Sequence, residues 1–159
     1  MVPLDQLEIE LRLNKQVSAA GFAKLNQMLS TAKWDREADV ESVDCIYGDI
    51  RVTDGRTAIR KHRLQMTDLG KFRVATCREQ PVPLPAETQQ GYTRRKRRHE
   101  RHYWGWIIHT TEVNGDTPEV HYEVEVELDV LYLVRRPAEL LAQVGTTIME
   151  DIARFTDGA

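Results

Sequence analysis

The segment Tyr122-Glu-Val-Glu-Val-Glu-Leu128 constrains this chain more than any other. Its acids recur at every second position with aliphatic residues between them. That is the period of a strand, whereas a helix would scatter the same acids around its circumference. Leu7-Glu-Ile-Glu-Leu-Arg-Leu13 repeats the arrangement near the start. Residues i and i+2 of a strand share a face, about 6.8 Å apart. Glu8 and Glu10 therefore point together, as do Glu123, Glu125 and Glu127. Ile9, Leu11, Val124, Val126 and Leu128 form the opposite face.

Such alternation ordinarily marks an antiparallel sheet with one solvated face. Like charges lined up along a strand destabilise it, however, and a neutral polar mixture would serve solubility equally well. Carboxylates gathered on one face suit a cation, and the hard ions Mg²⁺ and Mn²⁺ take oxygen ligands of this kind. A basic counterpart lies in Arg94-Arg-Lys-Arg-Arg98. This run also fits a nuclear address or a general nucleic-acid patch. As a strand framed by Tyr92 and Tyr103, it turns Arg94, Lys96 and Arg98 one way. Arg95, Arg97 and Arg101 then face out, placed to meet an RNA backbone. Arg51, Lys61, Arg63 and Arg73 sit on other predicted strands that can extend the basic face.

Period two dominates the remainder. Strands are predicted over Leu4–Leu13, Val40–Tyr47, Ile50–Thr53, Arg56–Leu64 and Lys71–Arg78. Further strands follow over Tyr92–His102, Tyr103–Val113 and Val120–Val134. Gly48-Asp49 and Asp54-Gly55 are hairpin turns. Ser18 has the chemistry of an N-cap, and Phe22, Leu25 and Leu29 recur at helical spacing, which predicts a helix over 18–31. Pro81, Pro83 and Pro85 begin an exposed linker running to Gly91. Pro137 suits the first turn of a closing helix over 138–155, whose stripe is Leu140, Leu141, Val144, Ile148 and Ile152. Two helices, one near each end, are too few for right-handed βαβ crossovers. The expected class is mainly β (α+β), an antiparallel sheet or barrel of about eight strands in a single domain spanning 1–159.

With 22 Lys+Arg against 25 Asp+Glu, the net charge of −3 gives no hint of a polyanion partner. The charge is segregated, though. Residues Asp35–Asp49 hold six acids and one base, and Arg94–Arg101 six bases and one acid. Residues Glu119–Asp129 hold five acids and no base. No window approaches the roughly 20 apolar residues of a membrane span, and the start lacks the pattern of a signal peptide. Cys45 and Cys77 form no CxxC, which points to a reduced intracellular protein without structural zinc. His99 and His102 fall on opposite faces of a strand, a poor zinc pair. Cys77 shares a face with Arg73 and Glu79 and reads as a packed thiol. Trp104 and Trp106 read as packing residues, with base stacking the alternative. If the strands close into a barrel, acids and bases face one lumen, an arrangement suited to metal-assisted attack on a phosphate chain.

Taken in order, these blocks resemble the RNA triphosphatases of fungal and protozoan mRNA capping, within the triphosphate tunnel metalloenzymes. The resemblance rests on Glu8-Ile-Glu10-Leu-Arg12, Ile50-Arg51-Val52-Thr53, Arg73 through Glu79-Gln-Pro81-Val82, Arg94-x-Lys96-x-Arg98 and Glu123-Val-Glu125-Val-Glu127. It implies an eight-stranded antiparallel tunnel. By that resemblance Glu8, Glu10 and Glu127 would ligate Mg²⁺ or Mn²⁺, and Glu125 would orient or deprotonate the attacking water. Lys96 and Arg98, with Arg51, Lys61, Arg73 and Arg94, would contact phosphates. Glu79 and Glu123 would brace those cations. The implied reaction removes the γ-phosphate of a 5′-triphosphate RNA, leaving a diphosphate end for an mRNA guanylyltransferase. It implies a nuclear location in a eukaryote.

Two departures stand out. Where the family carries Arg-x-Asp-x-Thr, this chain has Ile107-x-His109-x-Thr111, so His109 replaces the Asp. Arg12 stands where many tunnel enzymes show Lys, and Arg63 has no settled role. The first glutamate motif lies so near the start that the chain reads as a trimmed core or a compact member. Two rivals remain: a tunnel enzyme acting on inorganic or thiamine triphosphate, and a non-catalytic module binding RNA or polyphosphate.

Overall fold

A computed structural model describes residues 2–86, 90–130 and 138–157. A turn of 3-10 helix, Leu4–Gln6, leads into β1 (Leu7–Leu13) and then α1 (Ala19–Ser30). Next come β2 (Arg36–Tyr47), β3 (Ile50–Thr53), β4 (Thr57–Asp68) and β5 (Phe72–Val82). The chain continues through β6 (Tyr92–Tyr103), β7 (Trp106–Asn114) and β8 (Val120–Leu128) to α2 (Ala138–Asp157). The strands close in the order β1-β5-β4-β3-β2-β6-β7-β8, every pairing antiparallel. The expected eight-stranded tunnel with a helix near each end is therefore what the chain forms.

Closure inverts the usual arrangement of a sheet. Register places Glu10 opposite Glu127 and Ala75, and Lys96 opposite Ser42 and Val113. Residues directly opposite share a face, so all the alternating charges look into the lumen. The apolar face looks outward and is covered by helices. Leu11, Ile108, Val124, Val126, Leu128 and Trp106 pack there against Phe22, Leu25 and Leu29 of α1 and Met149 and Ile152 of α2. Each such side chain contributes about 1.5–3 kcal/mol when fully buried. Gly145 lets α2 approach closely, because a Cβ there would stand 2.3 Å from the Trp106 ring.

Local chemistry sets the ends of the elements. Ser18 caps α1, its Oγ accepting from Gly21 N at 3.0 Å. Asp54 and Gly55 both adopt positive φ, 52° and 66°, in the β3–β4 turn. The break between β6 and β7 is a tight turn at Trp104 and Gly105, with φ 49° and 80°. It falls one residue beyond the predicted boundary, because Trp-Gly carries no ordinary turn signature.

Several boundaries differ from the sequence reading, and β1 begins at Leu7 instead of Leu4, because Leu4–Gln6 form the 3-10 turn. The expected linker starts too early: Pro81 is still in β5, opposite Ile59 of β4. The ladder of β1 ends at Arg78, so β5 has a free edge at Pro81, where a missing N–H is tolerated. Strands β2 and β4 run longer than predicted, and β4 is bulged between Arg63 and Gln65. Strand β8 ends at Leu128 instead of Val134, with residues 131–134 outside the described residues, as is Pro137. In the predicted α2 stripe, Ile148 and Ile152 face the core; the side chains of Leu140, Leu141 and Val144 lie outside the described ones.

Candidate active site

Three walls meet in the lumen. Strand β1 supplies Glu8, Glu10 and Arg12, and neighbouring β8 supplies Glu123, Glu125 and Glu127, with Arg12 in register with Glu125. Across the lumen, β6 supplies Arg94, Lys96 and Arg98. Strands β4, β3 and β5 add Lys61, Arg51 and Glu79. Many ion pairs span strands two apart in the barrel. Lys61 Nζ lies 2.5 Å from Glu8 and 3.5 Å from Glu10. Arg94 pairs with Glu123 at 2.5 Å, and Arg98 stands 3.7 Å from Glu125. Arg51 donates to Glu79 at 3.1 Å, and Arg98 Nε donates to Thr111 Oγ1 at 3.3 Å. Arg12 bridges Glu125 and Glu10, the latter at 3.2 Å.

The two inner glutamates of β8 are driven apart electrostatically. Burial would raise Glu125, but His109, Arg12 and Arg98 outweigh it and hold the carboxyl at about 2. Glu127 goes the other way: burial and the charge of Glu8 push it up to about 8, against Arg98. Burial likewise raises Glu10 despite Arg12 and Lys61. Burial pulls Lys61 down, yet the charges of Glu8 and Glu10 raise it overall. Divergent carboxylates within one cleft mark distinct chemical duties. At neutral pH Glu125 is ionised, while Glu127 largely keeps its proton.

The donor set fits a hard divalent ion. Glu8, Glu10 and Glu127 offer only oxygen, and Glu10 and Glu127 are register neighbours. Burial, joined by the charges of Glu8, Glu125 and Glu79, raises Glu127 beyond what Arg98 offsets. Among the described residues no three carboxylate, imidazole or thiol groups already stand at bonding spacing of one ion. The ammonium of Lys61 occupies the acidic side, and an ion there would displace it from Glu8.

Solved structures with this architecture exist. The S. pombe Pct1 RNA triphosphatase superposes with a TM-score of 0.72 at 19% identity, covering 97% of this chain and 86% of that one. The same enzyme in complex with the Spt5 CTD gives 0.73 at 19%, covering 97% and 87%. The Mimivirus capping enzyme triphosphatase gives 0.65 at 15%, covering 94% and 90%. This chain has the RNA triphosphatase tunnel fold. At these identities the likeness is one of fold, and no family model and no curated protein sequence matches the chain.

Within the tunnel, the sequence-selected residues fall into two groups. Glu8, Glu10, Arg12, Arg51, Lys61, Glu79, Arg94, Lys96, Arg98, His109, Thr111, Glu123, Glu125 and Glu127 converge on the lumen. Arg73 lies at the rim opposite Arg12 and donates to Asn14 at 3.2 Å, while Arg63 is exposed opposite Cys77. Cys77 is buried, and burial raises its thiol, which suits a packed group. Trp106 is core, and Trp104 is exposed in its turn.

The outward bases behave differently from the expectation. Arg101 is only 3% exposed and donates to Asn26 and Thr110 under α1. Arg97 pairs with Glu41 at 3.1 Å, and His99 lies between Glu37 and Asp39. Register explains this: β2 brings its outward acids directly alongside β6. Only Arg95 of the three proposed RNA contacts keeps an exposed place without a carboxylate opposite it, facing Val43.

Two side chains on the lumen face escaped the sequence reading. Asp44, 1% exposed, pairs with Lys96 and accepts from Thr53 Oγ1 at 2.9 Å. Burial would raise Asp44, but Lys96 and Thr53 lower it; burial in turn lowers Lys96. The Gly48-Asp49 turn carried the signal, since counting back from it puts Asp44 opposite Thr53 and on the face of Arg51. Glu100 stands beside His109 in register and is hidden within the basic run.

Proposed function

We propose that this protein is a metal-dependent 5′-triphosphatase that removes the γ-phosphate of triphosphate-ended RNA, the first step of mRNA capping. The observation that carries it is the ionised Glu125 set between an acidic wall (Glu8, Glu10, Glu127) and a cationic one (Lys96, Arg98, Arg94, Arg51) in one lumen. A triphosphate lying along the lumen meets the cationic wall, which offsets charge that would repel an incoming nucleophile. Glu125 accepts a hydrogen bond from a water and aligns it with the γ-phosphorus. The water oxygen bonds to phosphorus, the bond to the bridging oxygen breaks, and the β-phosphate keeps that electron pair. The products are a diphosphate end and inorganic phosphate, the proton released by the water passing to a phosphate oxygen. Mg²⁺ or Mn²⁺ held by Glu8, Glu10 and Glu127 would supply charge neutralisation of the γ-phosphate oxygens. Asp44 holds Lys96 in place as a positioning residue. In a eukaryotic cell this reading puts the protein in the nucleus, with a guanylyltransferase taking the diphosphate end.

The neutralised outer face favours one second reading, a tunnel enzyme acting on free tripolyphosphate, because Arg97 and Arg101 are engaged and leave little basic surface for an RNA chain. The test compares phosphate release from triphosphate-ended RNA, tripolyphosphate, thiamine triphosphate and ATP, each with Mg²⁺, Mn²⁺ or chelator. Release from RNA, lost with chelator and in Glu8→Gln, is the expected result. Turnover of tripolyphosphate alone moves the assignment to the second reading, and no turnover of any substrate removes the enzyme reading.

A further inference from the structure

His109 is a buried imidazole set among three carboxylates. It is 4% exposed on β7, between Glu100 of β6 and Glu125 of β8 in the ladder. Its Nδ1 is buried without a hydrogen-bond partner. That nitrogen points at two carboxylates, 3.6 Å from Glu127 Oε2 and 3.9 Å from Glu125 Oε2. These separations exceed a hydrogen bond. Neighbouring ligands around one ion stand about 3 Å apart for bonds of about 2.1 Å, so an ion would draw His109 and Glu127 together from their present 3.6 Å. On the opposite side of the ring, Nε2 faces Glu100 Oε1 at 3.8 Å. An ion that displaces a proton from Nδ1 would leave Nε2 as the donor toward Glu100, as with metal-binding histidines, whose second nitrogen is held by a carboxylate.

We propose that His109 binds the divalent ion through Nδ1, with Glu100 as the positioning residue that fixes its tautomer. The inference rests on the reading above that Glu8, Glu10 and Glu127 hold an ion. It changes the character of that centre from all-oxygen to mixed nitrogen–oxygen. Imidazole suits the first-row transition ions better than it suits Mg²⁺, so Mn²⁺ and the later ions bind in preference to Mg²⁺. This preference belongs to His109; an aspartate at the same position would leave an oxygen-only site.

Electron paramagnetic resonance of Mn²⁺ added to the purified protein tests this without turnover. Loss of the free-ion signal gives the affinity, and pulsed measurement of the bound ion detects a coordinated nitrogen through ¹⁴N modulation. The wild-type protein is expected to bind Mn²⁺ with clear ¹⁴N modulation. His109→Gln should lose that modulation and bind Mn²⁺ at least tenfold more weakly. Glu100→Gln should keep the modulation while binding about 10-fold more weakly, the usual cost of removing an outer partner. His109→Asp, which keeps a small anionic ligand should His109→Gln fail to fold, should lose the nitrogen signal and shrink the Mn²⁺:Mg²⁺ affinity ratio about tenfold. Mn²⁺ bound by the wild type without ¹⁴N modulation, or modulation that survives in both His109 variants, overturns the inference and leaves the glutamate centre standing. Failure of the wild type to bind Mn²⁺, or binding unchanged in Glu8→Gln and Glu10→Gln, overturns both.

Discussion

Replacing Glu125 with Gln keeps the shape of the side chain and removes its charge from a buried site facing Arg12, Arg98 and His109. The carboxyl is held at about 2 against an ordinary 4.5. That gap of roughly 2.5 units, at about 1.36 kcal/mol per unit, gives about 3 kcal/mol of stability from the ionised form. The folded pKa is depressed, so the contribution is fully present above pH 4.5 and disappears as pH falls through the folded value. Glutamine imitates the protonated acid. Denaturant titration at pH 7 should therefore find Glu125→Gln less stable by about 3 kcal/mol, with Tm lower by roughly 10 °C for a chain of this length. At pH 3 the difference should shrink to about 1 kcal/mol, because the wild type has itself lost most of the term. Equal stability at pH 7 refutes the reasoning, as does a difference that stays constant between pH 7 and pH 3. The first result would mean that Arg12 and Arg98 do not depend on this carboxylate. The second would assign the loss to packing.

Three further outcomes follow from the same geometry. Lys96→Met strands the buried carboxylate of Asp44 and should cost about 3–5 kcal/mol; adding Asp44→Leu should restore most of the stability by thermal melt but none of the phosphate release. Gly145→Ala drives a methyl into the Trp106 ring and should destabilise by about 1–3 kcal/mol, read as a lowered Tm with any activity of the surviving folded protein retained. Glu127 is raised to about 8, so metal-free protein should lose stability as pH rises from about 4.5 to about 8, and Glu127→Gln should remove most of that slope, the remainder belonging to the raised Glu10. Ion binding requires its carboxylate, so Mn²⁺ affinity measured by calorimetry should climb with pH, by up to about 100-fold from pH 6 to 8, with proton release. A flat profile would remove Glu127 from the ligand set.

Much of the site was legible because a strand's period is local. Glu8 and Glu10, Arg94 and Lys96, and Glu123, Glu125 and Glu127 share faces whatever the fold, as alternation alone dictates. The turns at Gly48 and Asp54-Gly55 were equally local. What escaped were side chains whose partners come from distant strands. Arg101 read as a surface base, yet α1 covers it, since Asn26 and Thr110 supply hydrogen bonds that let a guanidinium be buried. Arg97 met Glu41 only because β2 pairs with β6 across about fifty residues of chain. Asp44 was implied by its hairpin register but passed over inside an acidic run.

By itself the sequence determined which residues share a face, where most turns fall, and that acids and bases occupy separate strands. It did not determine which face is inside. In an open sheet the aliphatic side of β1 and β8 would form the core and the glutamates would meet water. Closure of eight strands, with α1 and α2 covering the aliphatic side, sends the charges inward. The physical reason is that periodicity is encoded within a strand, whereas register and closure depend on contacts between strands far apart in the chain. Those contacts set Glu125 between Arg12 and Arg98, buried Glu127 near the charge of Glu8, and turned the imidazole of His109 toward both.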